Sequence, residues 1–399
     1  PRNPLQPQSG LSGLERSFNE ELWGTPSAIG VIVDAKGKTI PGLGIMEWQY
    51  RHFRRPYNLV TTLDAKLQEI VEREAAGKIK KGAVIFLDPA KGDILAMASF
   101  PRLPVEKLYQ GGITDEELKQ LELNNPYINR AIMQYPTGSV FKVVLAAAAL
   151  EQKLPEPEGL FICKGSYDLG DTVFRCYQGT AHGVLDLHAA LAQSCNGYFI
   201  DLALRLGKDV VVEAARRFKL GQPTGIPLGR EATGSVPTIS DLRYGGDVAN
   251  MALGQGKFTA TPLQIARIMA IIANNGRDVY PRLVAKIIDK NGNTVKNFPV
   301  QYGARIISHG VAGDLQQMLT TVVEEGTAQY AFSPLYQAAG KSGTAEVAGA
   351  DYSHSWFAAI VKTKEHRLVA VVFVEEWRPT NATASAVFKT IMEAVVREG

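Results

Sequence analysis

Pro136-Thr137-Gly138-Ser139-Val140-Phe141-Lys142 runs directly into residues 143–151, an alanine-rich stretch of high helix propensity. Ser139 therefore falls at or near a helix start. Lys142 follows three residues later, on the same helical face and within reach. A serine hydroxyl is a weak nucleophile and needs a base beside it. A helix N-terminus and burial both disfavour an ammonium, which suits Lys142 to the role of a neutral base. Taken alone, so short a pattern is far more often a serine cap followed by a surface lysine.

Outward from that stretch, the chain divides into an irregular beginning and a regular remainder. Residues 1–60 are rich in Pro, Gly, Arg and aromatics, as in Pro1-Arg2-Asn3-Pro4 and Arg51-His52-Phe53-Arg54-Arg55-Pro56. One short helix over 13–22 and a strand over 28–36, ending in the turn Asp34-Ala35-Lys36-Gly37, are predicted there. This is too little apolar surface for an independent core, so the segment reads as an arm or pedestal. Residues 61–399 read as one domain. Asp64 caps a helix with Leu67, Ile70 and Val71 on one face. Residues 83–87 and 94–98 form a hairpin around the turn Asp88-Pro89-Ala90-Lys91-Gly92-Asp93. A mostly helical middle extends to about residue 275. Strands over 355–362 and 368–375 and a last helix over 384–397 complete the chain. Strands at both ends around a helical middle predict an α+β domain whose sheet joins the two ends.

Composition narrows the function classes. The 399 residues are 45% hydrophobic and 21% charged, which excludes a disordered chain and a coiled coil. A formal net charge of +3 is too mild to point to nucleic acid. No apolar run approaches the roughly 18 residues of a membrane span.

Two more motifs change the weight of the first. Ser194-Cys195-Asn196 follows an amphipathic stretch over 185–192, and Lys341-Ser342-Gly343-Thr344 follows the small residues Ala338-Ala339-Gly340. The order Ser-x-x-Lys, Ser-x-Asn, Lys-Ser/Thr-Gly is the signature set of penicillin-recognising serine enzymes. Each is weak alone; all three in order are strong. The chain resembles the transpeptidase domain of a class B penicillin-binding protein of elongation or sporulation type. The likeness extends to Thr61-Thr62-Leu63-Asp64, to Asp88-Pro89, to Leu253-Gly254-Gln255-Gly256 with Thr261-Pro262-Leu263-Gln264, and to Ser355-Trp356-Phe357. Gly10-Leu11-Ser12-Gly13-Leu14-Glu15 is similar to the family's N-terminal pedestal.

The resemblance implies a fold and a set of roles. The fold is an antiparallel sheet flanked by a mostly helical subdomain. Ser139 attacks the carbonyl of a terminal D-Ala-D-Ala, and Lys142 takes its proton. The acyl-enzyme passes to an amine of a neighbouring peptide, making a peptidoglycan cross-link. Ser194 relays a proton to the leaving group and Asn196 holds the substrate amide. Lys341 supplies positive charge toward the substrate carboxylate, with Ser342, Gly343 and Thr344 as binding residues. The glycine beside Lys341 points to close backbone approach by a ligand. The backbone N–H groups of Ser139 and Thr344 form the oxyanion hole. Stem peptides and β-lactams are the implied ligands. The implied location is the outer side of the cell membrane, through an N-terminal anchor ahead of Pro1. No second motif for glycan polymerisation is present, so a SEDS-type membrane polymerase is the implied partner. A D,D-carboxypeptidase, a class D-like β-lactamase or a β-lactam sensor would keep Ser139 and Lys142. The class D enzymes have an apolar residue where Asn196 stands.

Cys163, Cys176 and Cys195 are all the cysteines of the chain, and His182 falls between the last two. Three thiolates and an imidazole make a closed tetrahedral zinc site, structural rather than catalytic. Buried free thiols, or one disulfide with a third thiol left over, are the alternatives. His188 is the second choice of imidazole, with Asp168 and Asp171 as weaker substitutes. In the resembling family, some elongation-type and sporulation-type members carry a metal beside the second motif.

Overall fold

The computed structural model describes residues 10–24, 28–40, 45–48, 55–104, 107, 112–155 and 160–398. The chain forms two compact units. The larger comprises residues 63–225, 231–282 and 300–399, the smaller residues 1–62, 226–230 and 283–299.

The larger unit is organised on an antiparallel sheet of β1 (Gly82–Leu87), β2 (Ile94–Phe100), β3 (Gln337–Glu346), β4 (Ser353–Lys362) and β5 (Arg367–Trp377). Their order is β3-β4-β5-β1-β2. Val371 of β5 pairs with Ile85 of β1, so the two ends of the segment do meet in one sheet. β1 is buried throughout and β4 from His354 to Val361, which is why both read as continuous apolar runs. β2, at one edge, alternates buried and half-buried residues. β3 is the other edge and carries the Lys341 motif.

Six helices matter to the site: α1 (Ala65–Ala75), α2 (Lys142–Gln152), α3 (Asn196–Leu206), α4 (Pro262–Ala273), α5 (His309–Glu324) and α6 (Ala384–Glu398). Asp64 caps α1, its carboxylate accepting from Leu67 N–H at 3.0 Å. α4 is buried along its whole length against β1, β4 and β5. Thr261 and Gln264 cap it reciprocally, with Pro262 in the first turn. Trp356 and Phe357 point to opposite faces of β4. The Phe357 ring packs on Phe388 of α6 at 4.7 Å, while the Trp356 ring packs on Phe373 at 4.3 Å.

The middle of the chain is less uniformly helical than its sequence indicates. Phe161–Cys163 pairs with Gly183–Leu185, and Ser166–Leu169 pairs with Thr172–Arg175. These strands have three or four residues each and are largely exposed, so no two-residue period marks them.

In the smaller unit, Phe18 breaks the single helix predicted over 13–22 into Gly13–Ser17 and Asn19–Trp23. Its side chain is buried with Val284 and Ile287, and Leu14, Leu22, Tyr57, Leu59 and Phe298 pack around them. Residues 283–299 supply the other half of a small core, and their strand Val284–Ile288 lies between Thr294–Asn297 and Asn58–Thr61. Ala28–Val31 pairs with Ile45–Trp48, and Asp34 closes the expected turn by accepting from the N–H groups of Lys36 and Lys38. The runs at 1–4 and 51–54 lie outside the described residues.

Candidate active site

Residues Gly138–Phe141 form a single 3-10 turn that feeds α2, so Ser139 stands just ahead of the helix. The turn is clamped by backbone. Gly138 has φ +56°, and a methyl group there would lie 2.4 Å from Thr344 O. Gly254 has φ +67°, and a methyl group there would lie 2.1 Å from Gly138 O. Both positions therefore require glycine. Gly254 O accepts from Thr137 N–H and Gly138 N–H, each at 3.0 Å. The Trp356 indole N–H donates to Pro136 O at 3.0 Å. Gly343 also meets the turn, since a methyl group there would lie 2.8 Å from Thr137 O. At Gly343 the close backbone approach is made by the chain's own serine turn.

Lys142 is fully buried. Its Nζ donates to Ser194 O at 2.7 Å and to Asn196 Oδ1 at 2.7 Å, and lies 3.4 Å from Ser194 Oγ. The first and second motifs are therefore joined directly. Burial pushes the ammonium down to about 7, against the opposing pull of Cys195 and Cys176. A neutral amine has two N–H donors and one lone pair. Two donors match Ser194 O and Asn196 Oδ1, leaving the lone pair available to take a proton. Ser194 has φ +53°, a conformation rare outside glycine and concentrated at functional positions. Asn196 is committed at both ends, since its Nδ2 donates to Arg175 O at 2.8 Å.

Lys341 is also fully buried, and its Nζ donates to Ser342 O at 3.0 Å. Burial first, and the charge of Lys142 second, push its ammonium well below the usual lysine range. Thr344 is exposed and Ser342 half-buried, two residues apart and so on one face of β3. Ser342 Oγ lies 3.2 Å from Thr327 Oγ1.

Cys163, Cys176, His182 and Cys195 converge. Their ligand atoms all lie within 4.8 Å of one another. Cys163 Sγ is 3.7 Å from Cys176 Sγ and 3.3 Å from His182 Nδ1, and Cys176 Sγ is 3.8 Å from Cys195 Sγ. These separations exclude a disulfide, whose S–S bond is about 2.05 Å, and all three thiols are free. Cys195 caps α3, its Sγ accepting from Tyr198 N–H at 3.4 Å. The Cys195 thiol and the N–H groups of Gly197 and Asn196 draw Cys176 down to about 4, toward thiolate. The hydrogen bond with Cys176, and then burial, push the Cys195 thiol up. His188 is elsewhere, with Nε2 2.8 Å from Thr321 Oγ1, and Asp168 and Asp171 are not part of the cluster.

Three contributors carry no sequence motif of their own chemistry. Gly254 and Trp356 fix the serine turn, and Thr327 reaches Ser342. The glycines of Leu253-Gly254-Gln255-Gly256 signal a close approach in the sequence without saying to what.

Residues 82–393 match the penicillin binding protein transpeptidase domain. The chain is 33% identical over 353 residues to the peptidoglycan D,D-transpeptidase MrdA of Acinetobacter baumannii, covering 85% of this chain and 51% of that protein. Stage V sporulation protein D of Bacillus subtilis is 31% identical over 84% of this chain and 51% of its own length. The chain thus spans about half of each of these relatives. Among solved structures, the D,D-transpeptidase domain of a peptidoglycan glycosyltransferase from Eggerthella lenta superposes with TM-score 0.81 and 25% identity, covering 98% of this chain and 88% of that one. An imipenem acyl-enzyme complex of penicillin-binding protein A from M. tuberculosis superposes with TM-score 0.73 and 26% identity, over 86% and 81% of the two chains. The expected α+β transpeptidase fold is borne out.

Proposed function

This chain belongs to the penicillin-binding protein transpeptidase family, and on that premise we propose that it is a peptidoglycan D,D-transpeptidase acting through Ser139. The observation that carries the reading is the bonding of buried Lys142 to Ser194 and Asn196 beside the clamped serine turn. Ser139 Oγ attacks the penultimate D-Ala carbonyl and its proton passes to neutral Lys142. The C–N bond breaks, and the departing D-alanine amine takes a proton through Ser194. An amine of a second stem peptide then attacks the ester carbonyl, forms the cross-link and restores the Ser139 hydroxyl. The closeness of Gly138 to Thr344 O supports an oxyanion hole from the Ser139 and Thr344 N–H groups. Lys341, Ser342, Gly343 and Thr344 line the edge strand along which the substrate lies. The Lys341 side chain is bonded to the backbone of Ser342, so its part is to hold that strand, and a substrate carboxylate placed beside it would draw its buried amine back toward the charged form.

Cys163, Cys176, His182 and Cys195 fit a structural zinc. Zn–S bonds of about 2.3 Å in a tetrahedron put sulfurs about 3.8 Å apart, and this cluster has 3.7 and 3.8 Å. The ion would fix Cys195, and with it Ser194 and Asn196, without entering the reaction. An anchor ahead of Pro1 and a SEDS-type polymerase complete the reading. The location is the outer face of the cell membrane.

Intact-mass measurement after incubation with a penicillin tests the nucleophile. One adduct is expected on the protein and none on Ser139→Ala. An adduct that survives in the variant moves the nucleophile elsewhere.

A further inference from the structure

Gly326 and Thr327, between α5 and β3, connect the second motif to the third. Thr327 N–H donates to Ala192 O at 3.1 Å, two residues ahead of Ser194. A methyl group on Gly326 would lie 2.3 Å from the same oxygen, so the approach needs glycine. The bend is fixed from behind, with Gly326 N–H on Thr321 O and Ala328 N–H on Val322 O, each at 3.0 Å. Thr321 Oγ1 in turn meets His188 Nε2 at 2.8 Å. From this anchored bend Thr327 Oγ1 reaches Ser342 Oγ at 3.2 Å. Thr327 is exposed and Ser342 half-buried, so the hydroxyl pair opens to solvent and satisfies no buried group. Lys341 Nζ holds the Ser342 carbonyl at 3.0 Å, which leaves the hydroxyl rotor as the one soft part of that residue.

We propose that Thr327 is a positioning residue for the substrate carboxylate, acting through the Ser342 hydroxyl. This rests on the reading that Ser342 binds that carboxylate. A hydroxyl carries one proton and two lone pairs. When the Thr327 hydroxyl donates its hydrogen bond to Ser342 Oγ, the Ser342 O–H is directed to the carboxylate. Donation into the Ser342 oxygen also strengthens the bond it makes. Without Thr327, the Ser342 side chain is free among its staggered rotamers, and the carboxylate finds a donor correctly placed for only part of the time. Thr327 touches no reacting atom. Capture of substrate should weaken while bond-making, once substrate is seated, should not.

The test is the acylation kinetics of the whole protein with a fluorescent penicillin, resolved into a limiting rate and a half-saturating concentration. Thr327→Val is expected to raise the half-saturating concentration about tenfold, with the limiting rate within about twofold. Thr327→Ser, which keeps the hydroxyl, is expected to restore it. Thr327→Val combined with Ser342→Ala should be no worse than Ser342→Ala alone, because the two act as one unit. With a penicillin methyl ester, which lacks the carboxylate, wild type and Thr327→Val should acylate alike. An unchanged half-saturating concentration in Thr327→Val overturns the proposal, as does an equal loss with the ester. Failure of Thr327→Ser to recover overturns it too, by making the methyl or the fold responsible. Labelled wild type with any of these results leaves the functional reading standing; wild type that takes no label overturns both.

Discussion

The serine turn leads into Lys142 and the Ser194 segment bonds to its side chain, yet the two are held by different means. The turn is held by close backbone approaches: Gly138 to Thr344 O, Gly254 to Gly138 O, Gly343 to Thr137 O, and the Trp356 indole on Pro136 O. No added component is needed for that clamp. The Ser194 segment has φ +53° at its serine and hangs on Cys195, one of four side chains that face one another at the spacing of metal ligands. If the proposed zinc is bound there, rigidity is intrinsic to the first and conditional in the second. A change in solution conditions should therefore reach catalysis through the second, and a change in covalent structure through either.

The largest effect is expected at the junction. Lys142→Ala should slow penicillin acylation by about 10²- to 10⁴-fold, the usual worth of a general base. In the proposed reaction Lys142 serves as the base only when neutral, and its ammonium is pushed down to about 7. The wild-type acylation rate should therefore fall about tenfold per unit as pH drops below that value, and level off above it. A rate profile flat from about pH 5 to about pH 9 would assign the base elsewhere.

Next comes the clamp. Gly254→Ala forces a methyl onto Gly138 O and a side chain into a left-handed conformation. A shift of the order of 1 Å in the nucleophile should cost about 10²-fold in acylation, with zinc content unchanged. Acylation at the wild-type rate would mean that the turn has a second support.

The conditional wall is tested by metal analysis and chelation. One zinc per chain is expected, and its removal should lower both the melting temperature and, by roughly tenfold, the acylation rate. Cys195→Ser should lose more acylation than Cys163→Ser, since Cys195 is bonded covalently to Ser194 and Asn196. Equal losses would show that the cluster acts on the fold as a whole. The smallest effect is expected from shortening the chain to start near Asn58. That removes Phe18 from the small core but keeps the pairing of Leu59 with Ile287. Labelling at Ser139 should stay within about twofold, since no residue of the motif set is lost.

What could be read from the sequence tracks the range of the forces involved. Caps are local, and Asp64 was legible because its hydrogen bond spans three residues. Buried strands were legible because both faces of β1 and β4 are apolar. The strand Val284–Ile288 was not, because its reason for existing is a partner at Asn58–Thr61, far away in the chain. The short strands around the cysteines were not, because side chains facing a common centre order them without any period. At the site, residue types with distinctive chemistry stood out, including all four members of the cysteine and histidine cluster. Residues that act by geometry alone did not. Trp356 stood out only as part of a stretch resembling the family, without its task, and Thr327 did not stand out at all until its partner was seen.

The pairing of Val371 with Ile85 also sets an order of assembly. A ribosome finishes Ser139, Lys142, Ser194 and Asn196 well before it reaches Arg367, and until then β1 has no β5 to lie against. The serine turn meanwhile lacks Thr344 and Trp356, two of the groups that define it. A nascent or prematurely ended chain therefore carries the proposed nucleophile and base without the groups that define the serine turn. Covalent labelling by a penicillin then doubles as a proofreading signal, reporting that the last strand has been made and threaded home.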